Sequence, residues 1–128
     1  MIISLSWPPS TNHLYVRTKR GVMLAPAVQA WTDQAIIDMR QSGQRLPPSP
    51  WAITIWANPP ADKRRHDPDN ICKAVLDAVR KAYDVDDSFS EVGRLLVVHT
   101  KTLDPGVIWV EVETMMAVND IRHPSAPR

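Results

Sequence analysis

Twelve prolines divide this 128-residue chain into short segments. They cluster at Pro8-Pro9, Pro47-Pro48 and Pro59-Pro60, and again near the C-terminus. Proline fixes φ and has no backbone N–H, so it is disfavoured inside helices and central strands. The chain is therefore expected to form short strands and helices between these clusters, within one domain of ordinary size.

Alternating apolar and polar residues predict the strands. The first covers Ile3 to Trp7, and segments 14–17 and 22–24 flank a polar turn with Gly21, which predicts a short hairpin. Residues 51–57 are rich in β-branched and aromatic side chains and predict another strand. Two more are expected at 92–101 and 107–115, the first well buried because of Leu95 to Val98 and the two paired as an antiparallel hairpin.

Two segments have the spacing of amphipathic helices. One begins near Pro26 and is expected to end near Ser42-Gly43. The other begins at Asp67-Pro68, because an N-cap Asp accepts backbone N–H bonds and proline suits the first helical position. It is expected to end before Asp84, with Ile71, Val75, Ala78, Val79 and Ala82 on its apolar face.

Composition excludes several classes of protein. The formal net charge is only +1, so any nucleic-acid surface must be local. The single Cys72 excludes an intramolecular disulfide and favours a packing role in a reducing, cytoplasmic protein. No apolar run could span a membrane, and the N-terminus has no signal-peptide pattern. A domain over residues 1–118 is expected, followed by a polar, flexible tail at 119–128.

The stretch Lys63-Arg64-Arg65-His66-Asp67-Pro68-Asp69-Asn70 carries the chemistry. Asp67 and Asp69 offer hard oxygen ligands to a divalent cation such as Mg²⁺, which needs only a few carboxylates. The preceding basic residues would attract phosphate. Lys73 follows Asp69 by one helical turn and could stabilise transition-state charge. Asp86-Asp87 come after the helix and could complete a metal site from a second segment.

Each of these residues also has a simpler explanation. Asp67 could serve only as an N-cap, and Asp69 as a favourable charge in the first helical turn. Lys73 could form an ordinary i,i+4 ion pair, and Asn70 and His66 could be plain polar residues. The decisive feature is their combination, since a metal-dependent enzyme acting on nucleic-acid phosphate needs both a cation site and a polyanion site.

The combined motifs resemble the RusA family of Holliday junction resolvases. The resemblance rests on Trp7-Pro8-Pro9-Ser10-Thr11-Asn12, Arg65 to Lys73 and Val85-Asp86-Asp87-Ser88, and it covers about residues 1–116. It implies a single small α+β domain, with a mixed or antiparallel sheet and two main helices packed against it, in a homodimer.

The same resemblance implies the activity and its partners. It points to an endodeoxyribonuclease that resolves four-way DNA junctions by paired symmetric nicks, with Mg²⁺ or, as a substitute, Mn²⁺, and with no organic cofactor or membrane partner. Asp67, Asp69 and Asp87 correspond to the metal ligands. Asn70 and Lys73 correspond to supporting polar residues. From the residues themselves, Lys73 is also expected to act in catalysis, His66 to support the site, and Lys63, Arg64, Arg65 and Lys73 to bind DNA. A bacterial or phage origin follows from the resemblance.

Three other classes of protein compete with this interpretation. A DxD-containing sugar transferase would need a larger nucleotide-binding domain. A phosphatase with an aspartate nucleophile would place its DxD motif at the end of a buried strand. A noncatalytic DNA-binding module would use the basic loop to grip phosphate and the carboxylates only for capping, and it would bind DNA without cleaving it in any metal.

Overall fold

A computed structural model describes residues 1–10, 15–62, 64–85 and 91–115. In chain order, the elements are β1 (Ile2–Ser6), β2 (Tyr15–Thr18), β3 (Gly21–Leu24), α1 (Pro26–Gln41), β4 (Trp51–Asn58), α2 (Pro68–Tyr83), β5 (Val92–His99) and β6 (Val107–Thr114). The expected strands and helices are all confirmed, including the β2–β3 hairpin, in which Gly21 directly after the turn has φ 115°. The expected tail at 119–128 lies outside the described residues.

Four strands form one sheet in the order β1-β6-β4-β5. β5 runs parallel to β4, whereas β6 is antiparallel to both β4 and β1. The sheet is therefore mixed, and the expected α+β fold class is confirmed; the homodimer remains a prediction. The predicted antiparallel β5–β6 hairpin is wrong, because β4 lies between the two strands. The helical connection from β4 through α2 returns the chain parallel to β4, as crossover connections do.

The core lies between the two helices and one face of the sheet. On β6, the buried residues Ile108, Val110 and Val112 alternate with side chains on the opposite face. Met39 of α1 and Val75 of α2 pack in the same apolar cluster. The buried face of α2 includes all five residues that its spacing predicts, together with Ala74. Both helices thus cover one face of the sheet, and no described helix is long and apolar enough to cross a membrane.

The edge strand β5 differs from its sequence expectation. Its apolar run was expected to be well buried, but Leu95 and Leu96 are 37% and 47% exposed. Among the described strands, β5 pairs only with β4, and half of its side chains lie on the sheet face opposite the helices. Apolar content alone could not reveal this position, since a continuous apolar run is also typical of a fully buried strand.

Short backbone hydrogen bonds join the ends of three strands. The Trp7 N–H donates to the Gly106 carbonyl at 2.9 Å, and the Gly106 N–H donates to the Asn58 carbonyl at 2.8 Å. Gly106 has φ 82°, a conformation that glycine adopts without strain. The Trp31 indole adds a 3.0 Å bond to the Ser6 carbonyl. These bonds hold the residues after β1 beside the connection between β4 and α2.

Candidate active site

Asp67 lies at the N-cap of α2, as predicted, and Pro68 occupies the first helical position. Asp67 has an extended backbone, with φ −95° and ψ 134°. Its side chain, however, makes no capping hydrogen bond, so the prediction that it accepts backbone N–H bonds is wrong. The carboxylate is 53% exposed and remains available to a ligand. The positive end of the helix dipole lies beside it and favours anions.

A cavity of about 540 Å³ opens in front of the N-terminus of α2. It lies between the segment that follows β1, beginning at Trp7, and the connection that leads into α2. Its polar lining consists mainly of Arg64, Arg65, His66, Asp67, Asn70 and Asp62. The structure therefore gathers most of the predicted stretch around one open space, with cationic and anionic groups side by side.

His66 is held from two sides within this cavity. Its Nε2 lies 2.9 Å from Asp62 Oδ1, and because an ionised carboxylate can only accept, the ring donates this bond. The ring also packs edge-on against the Trp7 indole, with centroids 5.3 Å apart and an interplanar angle of 74°. Its side chain is only 18% exposed. With Nε2 engaged, Nδ1 is the ring nitrogen through which His66 could contact a ligand.

Asp62 also accepts a 2.9 Å bond from the Arg64 backbone N–H. The hydrogen bonds from His66 and then from Arg64 lower the pKa of the Asp62 carboxyl below its ordinary value, since both stabilise the ionised form. Asp62 thus fixes both the imidazole and the turn that carries the basic residues.

The side chains of Arg64 and Arg65 are less constrained than that of His66. Arg65 Nε lies 3.7 Å from Asp67 Oδ1, but its side chain is 93% exposed. An ion pair this exposed is weak and easily rearranged. Arg64 is also exposed. Both guanidinium groups can therefore turn toward a phosphate without breaking a buried interaction.

Asp69 and Lys73 lie on the exposed side of α2, one turn apart. Within the described part of the chain, neither of them forms an ion pair, so the simple Asp69–Lys73 pair considered from the sequence is not formed. Burial raises the pKa of the half-buried Cys72 thiol, and the negative charge of Asp69 raises this pKa further. A raised pKa suits the packing role expected of Cys72.

The remaining predicted residues, Lys63, Asp86 and Asp87, lie outside the described residues. Among residues 1–10, 15–62, 64–85 and 91–115, no group of three or more His, Cys, Asp or Glu is arranged to hold a metal ion. Asp67 and Asp69 do fit part of such a site, because both are oxygen donors and both are exposed. Mg²⁺ retains several waters and is often held by one or two carboxylates.

Asp62 was not predicted as a site residue, and the position of Trp7 against His66 could not be predicted from the sequence. The one signal for Asp62 is its spacing four residues before His66, which has no regular meaning in a loop. Trp7 directly follows β1. The pairing of β1 with β6, and the hydrogen bond from Trp7 to Gly106, bring it to the site, and both join residues that are far apart in the sequence.

Comparison with known proteins gives one clear match. The family model described as endodeoxyribonuclease RusA matches residues 6–113, which cover most of the chain and all of the described cavity lining. No curated protein matches the chain significantly.

Proposed function

The chain belongs to the RusA endodeoxyribonuclease family, which acts on Holliday junctions, and from this premise we propose that it resolves four-way DNA junctions by paired, symmetric, Mg²⁺-dependent phosphodiester hydrolysis. The observation that carries the proposal is the exposed, non-capping Asp67 carboxylate at the head of α2, in a cavity shared with Arg64, Arg65 and His66. A carboxylate that neither caps its helix nor lies in a strong ion pair is available for chemistry.

In the proposed site, Asp67, Asp69 and Asp87 would hold the metal. The bound Mg²⁺ would polarise the phosphate and make its water more acidic. Hydrolysis joins the water oxygen to phosphorus, breaks the P–O bond to one deoxyribose, and transfers a proton to the departing oxygen. Mn²⁺, which also accepts oxygen ligands, is proposed as a substitute.

The chain's own residues bind and orient the DNA. Arg64 and Arg65, together with Lys63, would pair with backbone phosphates. Lys73 lies one turn after Asp69 and would stabilise the negative charge that develops on the phosphate. Asn70 would hydrogen-bond a phosphate oxygen or the carboxylate of a metal-binding Asp. His66 would contact the phosphate through Nδ1, while Asp62 holds the imidazole ring in place.

A cleavage assay tests this proposal. Purified protein is incubated with a labelled four-way junction and with a linear duplex of the same sequence, in Mg²⁺ or in EDTA, beside Asp69→Asn. We expect cleavage of the junction only in Mg²⁺ and a large loss in the variant. Cleavage in EDTA, or an undiminished rate in Asp69→Asn, would contradict the site assignment. Junction binding without cleavage in any metal would instead favour the noncatalytic DNA-binding module.

A further inference from the structure

A second cavity lies beside the one that contains Asp67, on the side of the sheet that the helices cover. It has a volume of about 250 Å³ and is lined by residues of β4, β5 and α2 and of the segments at their ends. Trp7, His66 and Ile71 line both cavities. These three side chains therefore form the boundary between the two spaces, and one bound molecule could occupy both.

The two cavities differ in charge. The first has charged groups in its lining, namely Arg64, Arg65, Asp62 and Asp67. The second has no Asp, Glu, Lys or Arg among its described lining residues, and its polar groups belong to imidazole and indole rings. A nucleotide has the same division, because its phosphate is charged whereas its base is a neutral aromatic ring. The pair of cavities thus matches the two chemical parts of one nucleotide.

The second cavity has a buried floor and an exposed mouth. Ala57 of β4 and Ile71 of α2 are buried, whereas Pro68 and His99 are exposed. β5, which carries His99, is at the edge of the described sheet. A planar ring could therefore enter past the end of this edge strand and reach an apolar floor.

The wall that the two cavities share is aromatic and fixed in position. The Trp7 and His66 rings pack edge to face, with centroids 5.3 Å apart. Asp62 holds the imidazole through Nε2, and the Trp7 backbone is bonded to Gly106. An aromatic ring on a rigid support provides a stacking surface for nucleic-acid bases, because every base has a π-face.

His99 supplies a hydrogen-bonding group to the second cavity. Val97 and His99 pair in register with Ile55 and Ala57, so they project toward the same side of the sheet as these buried residues. The Thr100 N–H donates to the Ala57 carbonyl at 2.9 Å, which fixes the end of β5 against β4. A neutral imidazole offers one donor and one acceptor, and both can bond the edge of a base.

We infer that the second cavity binds an unstacked base of the DNA strand whose phosphate occupies the first cavity, with Trp7 and His66 as the stacking wall and His99 as the hydrogen-bonding residue. This role rests on the proposed function, since DNA phosphate must occupy the first cavity. Removing a base from its stack costs least where stacking is already interrupted, as at the branch point of a junction. The second cavity would therefore favour branched DNA over a linear duplex.

Binding to abasic junctions tests this role. Four-way junctions are prepared intact and with one base removed at each position around the branch point in turn, which leaves the sugar and phosphate in place. Dissociation constants are measured by fluorescence anisotropy in EDTA. We expect His99→Ala to bind the intact junction about fivefold more weakly, as for the loss of one hydrogen bond. On the junction that lacks the bound base this difference should vanish, because His99 then has nothing to contact.

A second variant and a control accompany His99→Ala. Trp7→Leu keeps an apolar side chain but removes the stacking surface, so it should weaken binding of the intact junction about tenfold, with the smallest effect at the same abasic position. Leu95→Ala is the matched control, because Leu95 projects from the same face of β5 as His99 and does not line the cavity. It should bind every junction as the wild type does. Circular dichroism checks that each variant is folded.

Two results would overturn the inference. Folded His99→Ala and Trp7→Leu could bind all junctions as the wild type does, or they could be weakened equally on the intact junction and on every abasic one. Either result would mean that no base contacts these residues. A wild type that binds no junction would overturn both the base site and the proposed function.

Cleavage in Mg²⁺ distinguishes failure of the base site from failure of the proposed function. If the wild type binds junctions but cuts none of them, the proposed nuclease activity fails, while binding in EDTA still decides whether a base occupies the second cavity. If the wild type cuts junctions but no abasic position removes the effect of His99→Ala, the nuclease activity stands and the base site fails.

Discussion

Replacing Asp67 with alanine distinguishes a structural role of its carboxylate from a catalytic one. The side chain forms no capping bond, and its ion pair with Arg65 joins groups that are 53% and 93% exposed. Exposed pairs of this kind contribute up to about 1 kcal/mol, and commonly about 0.5 kcal/mol. We therefore expect Asp67→Ala to lower the free energy of unfolding by about 0.5 kcal/mol, which corresponds to a decrease of about 2 °C in Tm.

The same substitution should nearly abolish cleavage. Losing one metal-binding carboxylate removes several kcal/mol of transition-state stabilisation, and about 3 kcal/mol corresponds to a rate at least about 100-fold lower. Urea unfolding and single-turnover cleavage of a four-way junction measure the two effects on one preparation. Asp33→Ala, which removes an exposed carboxylate from α1, is the control and should leave cleavage unchanged.

The opposite pattern of effects would refute this reasoning. A working N-cap contributes about 1 kcal/mol, and up to about 2 kcal/mol. If Asp67→Ala loses that much stability while its cleavage rate stays within about threefold of the wild type, the carboxylate serves the helix rather than the reaction.

Three further predictions concern the surroundings of Asp67. Arg65→Ala should weaken junction binding and reduce the slope of log K against log salt by about one, measured by fluorescence anisotropy; an unchanged slope would exclude a phosphate contact. The pKa of Asp62, followed by carboxyl NMR, should rise in His66→Asn. Because the pKa of Asp62 is lowered in the folded state, the ionised carboxylate stabilises the fold at pH values above the ordinary Asp pKa. This stabilisation is lost as the pH falls through the pKa of Asp62 in the folded protein. Alkylation of Cys72 should be slow, because the pKa of its thiol is raised. Mg²⁺ should accelerate it, because a metal bound to Asp69 neutralises the charge that helps to raise this pKa. An unchanged rate on adding Mg²⁺ would place the metal elsewhere.

Local sequence patterns predicted the elements of the fold but not their pairing. The spacing of α2 identified its buried face, and Asp67-Pro68 identified its first turn, because both signals lie within a few residues. The neighbours of β5 depend instead on a crossover and on the insertion of β6 beside β4. Since strand order is set by long-range packing, Leu95 and Leu96 gave no local sign that they lie on an edge strand with an open face.

The clustering of several predicted site residues at one cavity was predictable for the same reason that the helix start was, whereas their roles remain a prediction. Arg64, Arg65, His66, Asp67 and Asn70 are close in sequence, so their position around one cavity follows from the head of one helix. Asp62 carries no motif, and its role depends on a loop conformation that brings it to the His66 ring. The absence of a capping bond at Asp67 is a property of side-chain rotation, which the sequence does not encode in any simple pattern.

The central claim is that a metal ion contacts the phosphate that is cleaved. Replacing an oxygen of this phosphate with sulfur tests the claim most directly. Once the wild-type cleavage position is known, a junction with a phosphorothioate there is cleaved in Mg²⁺ and in Mn²⁺. Mg²⁺ binds sulfur poorly, whereas the softer Mn²⁺ accepts it better. We expect one stereoisomer to be cleaved slowly in Mg²⁺ and to recover in Mn²⁺, relative to the unmodified junction. Equal rates for sulfur and oxygen in Mg²⁺, with both stereoisomers, would contradict direct metal contact with the scissile phosphate.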